Sequence, residues 1–399
     1  EFKVLQELEE NEYSQIRGNL TMRKFLIIGL VVIFGVLVFY NRTKNSAPSQ
    51  TQPPKKTDNT SQKKNSDTTR IEIVAENLDT PWAIAFLPDK SMLVTERKGA
   101  VRLIESDGKL EANPVATIQE VEEIGEGGLM GITLHPDFKN NNFVYLYYTY
   151  NGSGGNTLNR VVRMSYKNNS LSEEKIIIDA IPGASNHNGG RIKFGPDKLL
   201  YVGTGDAQNP SQAQDTKTLG GKILRVVDDG KIPSDNPFNN QVFSYGHRNV
   251  QGLAWSSSGV MWATEHGRSG ILSGLDELNL IEKGNNYGWP EIQGDETKDG
   301  MVKSKRNSGS SVTWAPAGAA FIGNSLYFGG LRGQTLYEAV IKNGSVVEVK
   351  EHFNGEFGRI REVILGPDSM LYITTSNKDG RGAPDQTDDK VIKINPSKL

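Results

Sequence analysis

Six times along the chain the same pattern recurs. A short run alternates small apolar with larger apolar or polar residues, a turn with Pro-Asp or Gly follows, and a second run rich in Val, Tyr, Leu and Thr begins. The copies are AIAFLPDKSMLVTER (83–97), GITLHPDFKNNNFVYLYYTY (131–150), IKFGPDKLLYVGTGD (192–206), LAWSSSGVMWATEHG (253–267), AAFIGNSLYFGGLRG (319–333) and VILGPDSMLYITTSN (363–377). Alternation, a tight turn and a β-branched or aromatic second run predict a β-hairpin in each copy. Six copies over residues 71–399 leave about 55 residues per unit, enough for a four-stranded blade, and radial repetition of such sheets is the β-propeller solution to exposed strand edges. The expected fold is therefore all-β, a six-bladed propeller over 71–399. The flanking runs RIEIVAENL (70–78) and KVIKINP (390–396) are expected to close the ring by sharing one blade. An irregular β-sandwich is the alternative that six in-phase copies disfavour.

The chain before residue 71 follows a different pattern. Residues 25–40, FLIIGLVVIFGVLVFY, are uncharged and almost wholly apolar, with Arg23 and Lys24 before them and Arg42 after. This length suits a short membrane span or a signal-peptide core. No small-residue cleavage site follows, so segment 22–40 is read as an uncleaved signal-anchor. The polar stretch 1–21 is a short N-terminal extension, with Met22 resembling a start. Residues 41–70 are polar and Pro-containing with almost nothing apolar, the composition of a disordered tether. The expectation is a domain held at the cell membrane, on its outer (extracellular or periplasmic) face.

Composition narrows the chemistry. There is no cysteine among the 399 residues, which excludes disulfides, thiolate metal sites and a cysteine nucleophile. The formal net charge of −2 gives no nucleic-acid footprint. Glycine is abundant, 43 residues, as a turn-rich β protein requires. No HExxH or other histidine cluster is present, so a histidine-bound zinc is not expected.

The repeat supplies a phase, and the phase gathers polar residues. Each copy has an apolar anchor: Phe86, Leu134, Phe194, Trp255, Phe321 and Leu365. Glu126, His187, Arg248, Trp314 and Arg359 stand six to eight residues ahead of their own anchor, with Arg361 close by. In a propeller such positions converge at one mouth of the central channel. The loops that end the second runs face the same mouth and hold Asp206, Gly267, Arg268 and Arg332. Four guanidiniums, on Arg248, Arg332, Arg359 and Arg361, suit a polycarboxylate or phosphate ligand through bidentate pairing. Trp314 offers a flat apolar face. His187, in ASNHNGGRIKF, is the natural proton acceptor, and Asp206 the carboxylate placed to orient it. Taken singly, each is as well read as a solvated arginine, a core tryptophan or a turn histidine; it is the shared phase that favours a site. Gly189 and Gly190 are expected to leave room for a ligand over the channel. Asp276 and Glu277, with the NNYGW turn beyond them, offer oxygen ligands of the kind Ca²⁺ takes. His135 is read as a turn residue, His247 as a brace for Arg248, and His352 as an outer-strand residue.

Five stretches together, EGGLMGITLHPDFKNNNFVYLYYT, NHNGGRIKFGPDKLLYVGTGD, GHRNVQGLAW, DELNLIEKGNNYGWP and GRIREVILGPDSMLYITT, resemble the soluble pyrroloquinoline-quinone (PQQ) aldose sugar dehydrogenases of the glucose/sorbosone dehydrogenase family. The resemblance covers about 71–397 in order. It implies that His187 is the base and Asp206 its orienting aspartate. It implies cofactor-carboxylate contacts at Arg248, Asn249, Arg332, Arg359 and Arg361, with Trp314 beside the cofactor. The backbone carbonyls of Gly267 and Arg268 would hold the cofactor's Ca²⁺, and Glu277 with the carbonyl of Tyr287 a second, structural Ca²⁺. Glu126 and Asn186 would lie near the sugar. Both depart from the glucose enzymes, which have Gln and Asp there, and this leans toward the broader aldose branch. The implied reaction is PQQ-dependent oxidation of an aldose at its anomeric hydroxyl to a lactone, with electrons passed to an external acceptor such as a membrane respiratory carrier. The alternatives are a Ca²⁺-dependent lactonase and a non-catalytic propeller that binds a protein or glycan.

Overall fold

The computed structural model describes residues 69–270 and 273–399. The 1–21 extension, the apolar segment 22–40 and all but the last two residues of the 41–70 linker lie outside them. Among the described residues no helix is long and apolar enough to cross a membrane.

Among the described residues, twenty-four strands, β1 to β24 in chain order, form six four-stranded antiparallel sheets. Five sheets are simple meanders, spanning residues 81–117, 129–182, 192–245, 250–307 and 316–352. The sixth has the order Ile71–Ala75 (β1), Val391–Ile394 (β24), Leu371–Thr375 (β23), Ile360–Leu365 (β22), so the first strand is the outer edge of the last blade. Ile71–Ala75 (β1) pairs with Val391–Ile394 (β24), with Ile71 opposite Ile394 and Ile73 opposite Ile392. This pairing joins the two ends of the domain in one sheet and closes the six-bladed propeller.

The innermost strands are Pro81–Phe86 (β2), Leu129–Leu134 (β6), Ile192–Phe194 (β10), Val250–Trp255 (β14), Pro316–Ile322 (β18) and Ile360–Leu365 (β22). They pack on one another around the axis. The six apolar anchors fall at or next to the last residues of these strands, so they mark the end of the channel opposite the strand starts. The second strands, Met92–Glu96 (β3), Met261–Glu265 (β15) and Leu371–Thr375 (β23) among them, are buried at every position. Adjacent blades cover both of their faces, which is why these runs read as continuous apolar segments rather than alternating ones.

One irregularity repeats. Five of the six inner strands carry a bulge near their start: between Pro81 and Ala83, Leu129 and Ile132, Val250 and Gly252, Pro316 and Ala319, and Ile360 and Glu362. A bulge adds a residue on one strand and re-aims its side chain. Trp82, Gln251 and Arg361 are three of the added residues. Arg361 Nη1 donates to Gln251 Oε1 at 2.6 Å, and the Arg361 guanidinium lies 5.6 Å from the Trp82 ring. Arg191 sits 4.4 Å from the same ring, bonds Gln251 O at 2.9 Å and pairs with Glu362 at 2.5 Å. The bulges thus build a buried polar ladder along the channel.

Candidate active site

At the strand-start end of the channel lies a cavity of about 540 Å³. His187 is on its wall, in the loop between Ser170–Pro182 (β9) and β10. Its backbone φ is +61°, in the left-handed region that non-glycine residues rarely adopt. Its amide donates to Glu126 Oε2 at 3.1 Å. The following glycines have positive φ as well, +65° at Gly189 and +107° at Gly190. A Cβ at Gly189 would lie 2.4 Å from Gly203 O, and one at Gly190 would lie 2.9 Å from Met130 Sδ. These glycines are therefore required by the adjoining strand and the channel lining.

The ring of His187 is held from both sides. Nδ1 is 2.8 Å from Asp206 Oδ1, and Nε2 is 2.9 Å from Arg248 Nη2. A guanidinium only donates, so Nε2 is the acceptor and the proton rests on Nδ1, directed at Asp206. Asp206 is fully buried. Its Oδ1 also accepts from the Gln208 amide at 2.9 Å, and its Oδ2 from Trp289 Nε1 at 2.8 Å. The Trp289 ring carries the Arg248 guanidinium at 5.2 Å, so one tryptophan supports both partners of the histidine. Arg248 also donates to Ser269 Oγ at 2.7 Å.

The arginines define the electrostatics. Arg359 pairs with Asp379 at 2.7 Å and donates to Leu331 O at 3.0 Å. Arg361 reaches the same carboxylate only at 3.9 Å, and burial pushes its pKa down to about 9. Burial also lowers Arg248. Among the described residues, Nε of Arg248, Arg268 and Arg361 and Nε2 of His266 are buried without a hydrogen-bond partner. Burial holds His266 down to about 3, so it is neutral near neutral pH. Glu126 behaves oppositely. Burial works against its ionisation, but His266, Arg381 and the His187 amide bring it to about 2. With His266 neutral, Arg381 and the amide sustain that carboxylate.

Glu126, Asn186, His187, Arg248, Gly267, Arg268, Arg332, Arg359 and Arg361 line this one cavity. Asp206 lies behind His187. Asn249 is buried beside them, its Oδ1 accepting from the Gly189 amide at 2.9 Å. Three residues fall elsewhere. Trp314 is in the core of the fifth blade, its ring 5.5 Å from Phe328 and 5.6 Å from Tyr337. Its amide donates to Asp276 Oδ2 at 2.7 Å. Glu277 sits behind the cavity, opposite Glu265 on the neighbouring strand, with Asn279 bonded to both carboxylates. Burial and the Glu265 charge push Glu277 up to about 8. Tyr287 joins that cluster through His247, which stacks on its ring at 4.7 Å and meets Glu265 at 2.9 Å. Glu265 accepts the Arg248 amide, so His247 acts on Arg248 through it. Asp276 spends its oxygens on the amides of Gly267, Trp314 and Ala315, apart from Glu277. His135 is a turn residue accepting from the Asp137 amide, and His352 ends an outer strand. Among the described residues no group of three or more histidine or acidic side chains is arranged to hold a metal.

Several wall residues carry no signal in the repeat. Gln251 is added by its bulge, His266 adjoins Gly267 in TEHGRSG, and Arg381 stands in the long loop after β23, with Asp379 behind the wall on Arg359. The only hint is local: a charged or imidazole side chain just past the end of a second strand.

The six-bladed propeller thus places a His–Asp pair at one end of its channel, beside a wall of arginines. The chain belongs to the glucose/sorbosone dehydrogenase family, whose model matches residues 78–383. It is 31% identical to the aldose sugar dehydrogenase YliI of Escherichia coli over 82% of this chain and 93% of that one. It is 33% identical to quinoprotein glucose dehydrogenase B of Acinetobacter calcoaceticus over 58% and 54% of the two chains. Among solved structures, the PQQ-bound aldose sugar dehydrogenase of Streptomyces coelicolor is 37% identical and superposes with a TM-score of 0.75 over 81% of this chain and 97% of that one.

Proposed function

We propose that the protein is a PQQ- and Ca²⁺-dependent aldose sugar dehydrogenase that oxidises the anomeric hydroxyl to a lactone and passes the electrons to an external acceptor. The observation that carries this reading is Nε2 of His187, an unprotonated ring nitrogen facing a cavity of buried, incompletely paired guanidiniums. The donor set fits a flat polyanion: Arg248 and Arg361 have unpaired Nε atoms, and one carboxylate, Asp379, serves both Arg359 and Arg361. Bound PQQ would supply the acceptor for the hydride leaving C1, with Ca²⁺ polarising its quinone. Arg248, Arg332, Arg359 and Arg361 would hold its carboxylates, with Asn249 fixing the loop beside them. The carbonyls of Gly267 and Arg268 would face the Ca²⁺.

The chain's own residues handle the proton and orient the reactants. His187 Nε2 takes the C1 hydroxyl proton. Asp206 keeps the other nitrogen protonated and stabilises the imidazolium that forms. The wall of arginines favours charge that develops on the cofactor side. Glu126 and Asn186 accept from and donate to sugar hydroxyls. Trp314, held by its amide on Asp276 Oδ2, is the aromatic residue that would lie beside the cofactor. Glu277, Glu265 and the unpaired Asn279 Oδ1 are a donor set suited to a second Ca²⁺, near Tyr287. The apolar segment 25–40 and the polar linker would hold the domain on the outer face of the cell membrane, near a respiratory carrier.

The test is the cofactor-free protein given PQQ and Ca²⁺, an artificial dye acceptor and a panel of aldoses. Dye reduction with lactone as product supports the reading. No PQQ binding and no turnover with any sugar points to a binding module. Lactone hydrolysis that needs Ca²⁺ but not PQQ points to a lactonase.

A further inference from the structure

Arg381 stands in the loop after β23, on the last blade, yet it reaches across the cavity mouth to residues on two other loops. Its Nη1 meets Glu126 Oε1 at 2.5 Å and its Nη2 donates to Asn186 Oδ1 at 2.8 Å. Both partners adjoin His187: Glu126 accepts the His187 amide, and Asn186 precedes it in the chain. The other end of the loop is tied to the arginine wall. The Arg381 amide donates to Asp379 Oδ1 at 2.9 Å, while Asp379 Oδ2 accepts from Arg359 Nε at 2.9 Å.

Stability is a poor reason for this arrangement. The Arg381 side chain is 52% exposed, and ion pairs so open to water contribute little to folding. An open pair is instead easily rearranged by a ligand. Arg381 presents donors, Glu126 acceptors and Asn186 both, side by side at the base. Sugar hydroxyls both donate and accept, so this trio matches the edge of a polyol. Glu126 already compensates the charge of Arg381, which suits the neutral hydroxyls of an aldose.

We propose that Arg381 is a specificity-determining residue that contacts the bound sugar and holds Glu126 and Asn186 in register with His187. The inference rests on the sugar-oxidising reading of the same cavity. Its consequence is a split in kinetic constants. A site built to hydrogen-bond a substrate loses affinity when the donor is removed, whereas proton transfer to His187 does not use Arg381.

The test compares wild type, Arg381→Ala and Arg381→Lys, each loaded with PQQ and Ca²⁺, on the best aldose of the panel. Thermal midpoint and PQQ affinity are measured alongside. The expected result for Arg381→Ala is a KM raised about tenfold, the size of one charge-assisted hydrogen bond at a half-open site, with kcat within about threefold of wild type. Arg381→Lys should recover some of the lost KM, and midpoint and PQQ affinity should be unchanged. A KM within about twofold of wild type, or a fall in kcat at unchanged KM, overturns the assignment of Arg381 while leaving the function standing. A wild type that oxidises no aldose overturns the functional reading itself.

Discussion

Arg248 donates from Nη2 to Nε2 of His187 at 2.9 Å, while Asp206 faces Nδ1 of the same ring at 2.8 Å. The imidazole therefore has one assigned tautomer before any ligand enters. A substrate hydroxyl that reaches Nε2 must share or displace the guanidinium.

Trp289 organises both of these partners, and its two roles are separable. Trp289→Phe removes the N–H that Asp206 Oδ2 accepts but keeps a ring beneath Arg248. We expect kcat to fall about tenfold with little change in sugar KM, since one hydrogen bond to a buried carboxylate is lost and no sugar contact is touched. Steady-state kinetics of the PQQ-loaded variant checks this. An unchanged kcat would show that Asp206 does not need the Trp289 donor.

Glu277 gives a pH and metal signature. Its ordinary value is 4.5, and in the fold it is raised to about 8. Between these values the folded protein holds a proton that the unfolded chain has released, so without metal its contribution is present at low pH and lost as pH rises through the window. Ca²⁺ bound there should reverse the loss. We expect Ca²⁺ to raise the thermal midpoint of PQQ-free wild type at about pH 8, since a ligand that binds only the native state stabilises it. Glu277→Gln should raise the metal-free midpoint at that pH and blunt the Ca²⁺ response. An equal Ca²⁺ response in wild type and variant would move the ion elsewhere.

Much of the molecule is legible in the sequence, and the exceptions have physical causes. The six hairpins show because turn chemistry and apolar runs repeat in phase. Ring closure shows because β1 and β24 flank the repeats. His187, Arg248 and Arg359 gather because each stands six or seven residues ahead of its anchor, and Asp206 because it ends a second run at the same mouth. Trp314 shares the offset, and its ring packs on Phe328 and Tyr337, a contact that the offset does not foretell. Gln251 and Trp82 are hidden because a bulge inserts one residue and inverts the inward and outward alternation locally. Arg381 and Asp379 lie in the loop that ends the last second run, and these loops differ in length from copy to copy, so no period exposes them.

Gly189 tests the loop that carries the base. It has φ +65°, and a Cβ there would approach Gly203 O to 2.4 Å. Gly154 has φ +94° with nothing within 4 Å of its Cβ position. Gly154→Ala should cost about 1–2 kcal/mol, the strain of the backbone alone. Gly189→Ala should cost about 3 kcal/mol or more, because strain and overlap combine. Urea denaturation midpoints of the two variants compare them; equal midpoints would mean that the loop moves aside freely.

The central claim is that His187 Nε2 removes the hydroxyl proton in a PQQ-dependent oxidation. The most direct measurement is dye reduction by PQQ- and Ca²⁺-loaded His187→Ala against wild type on the same aldose, with PQQ binding followed by absorbance. We predict that the variant binds PQQ as wild type does and loses turnover by about 10³-fold or more, the range of a missing general base or its supports. Turnover near the wild-type rate with PQQ bound would contradict the assignment.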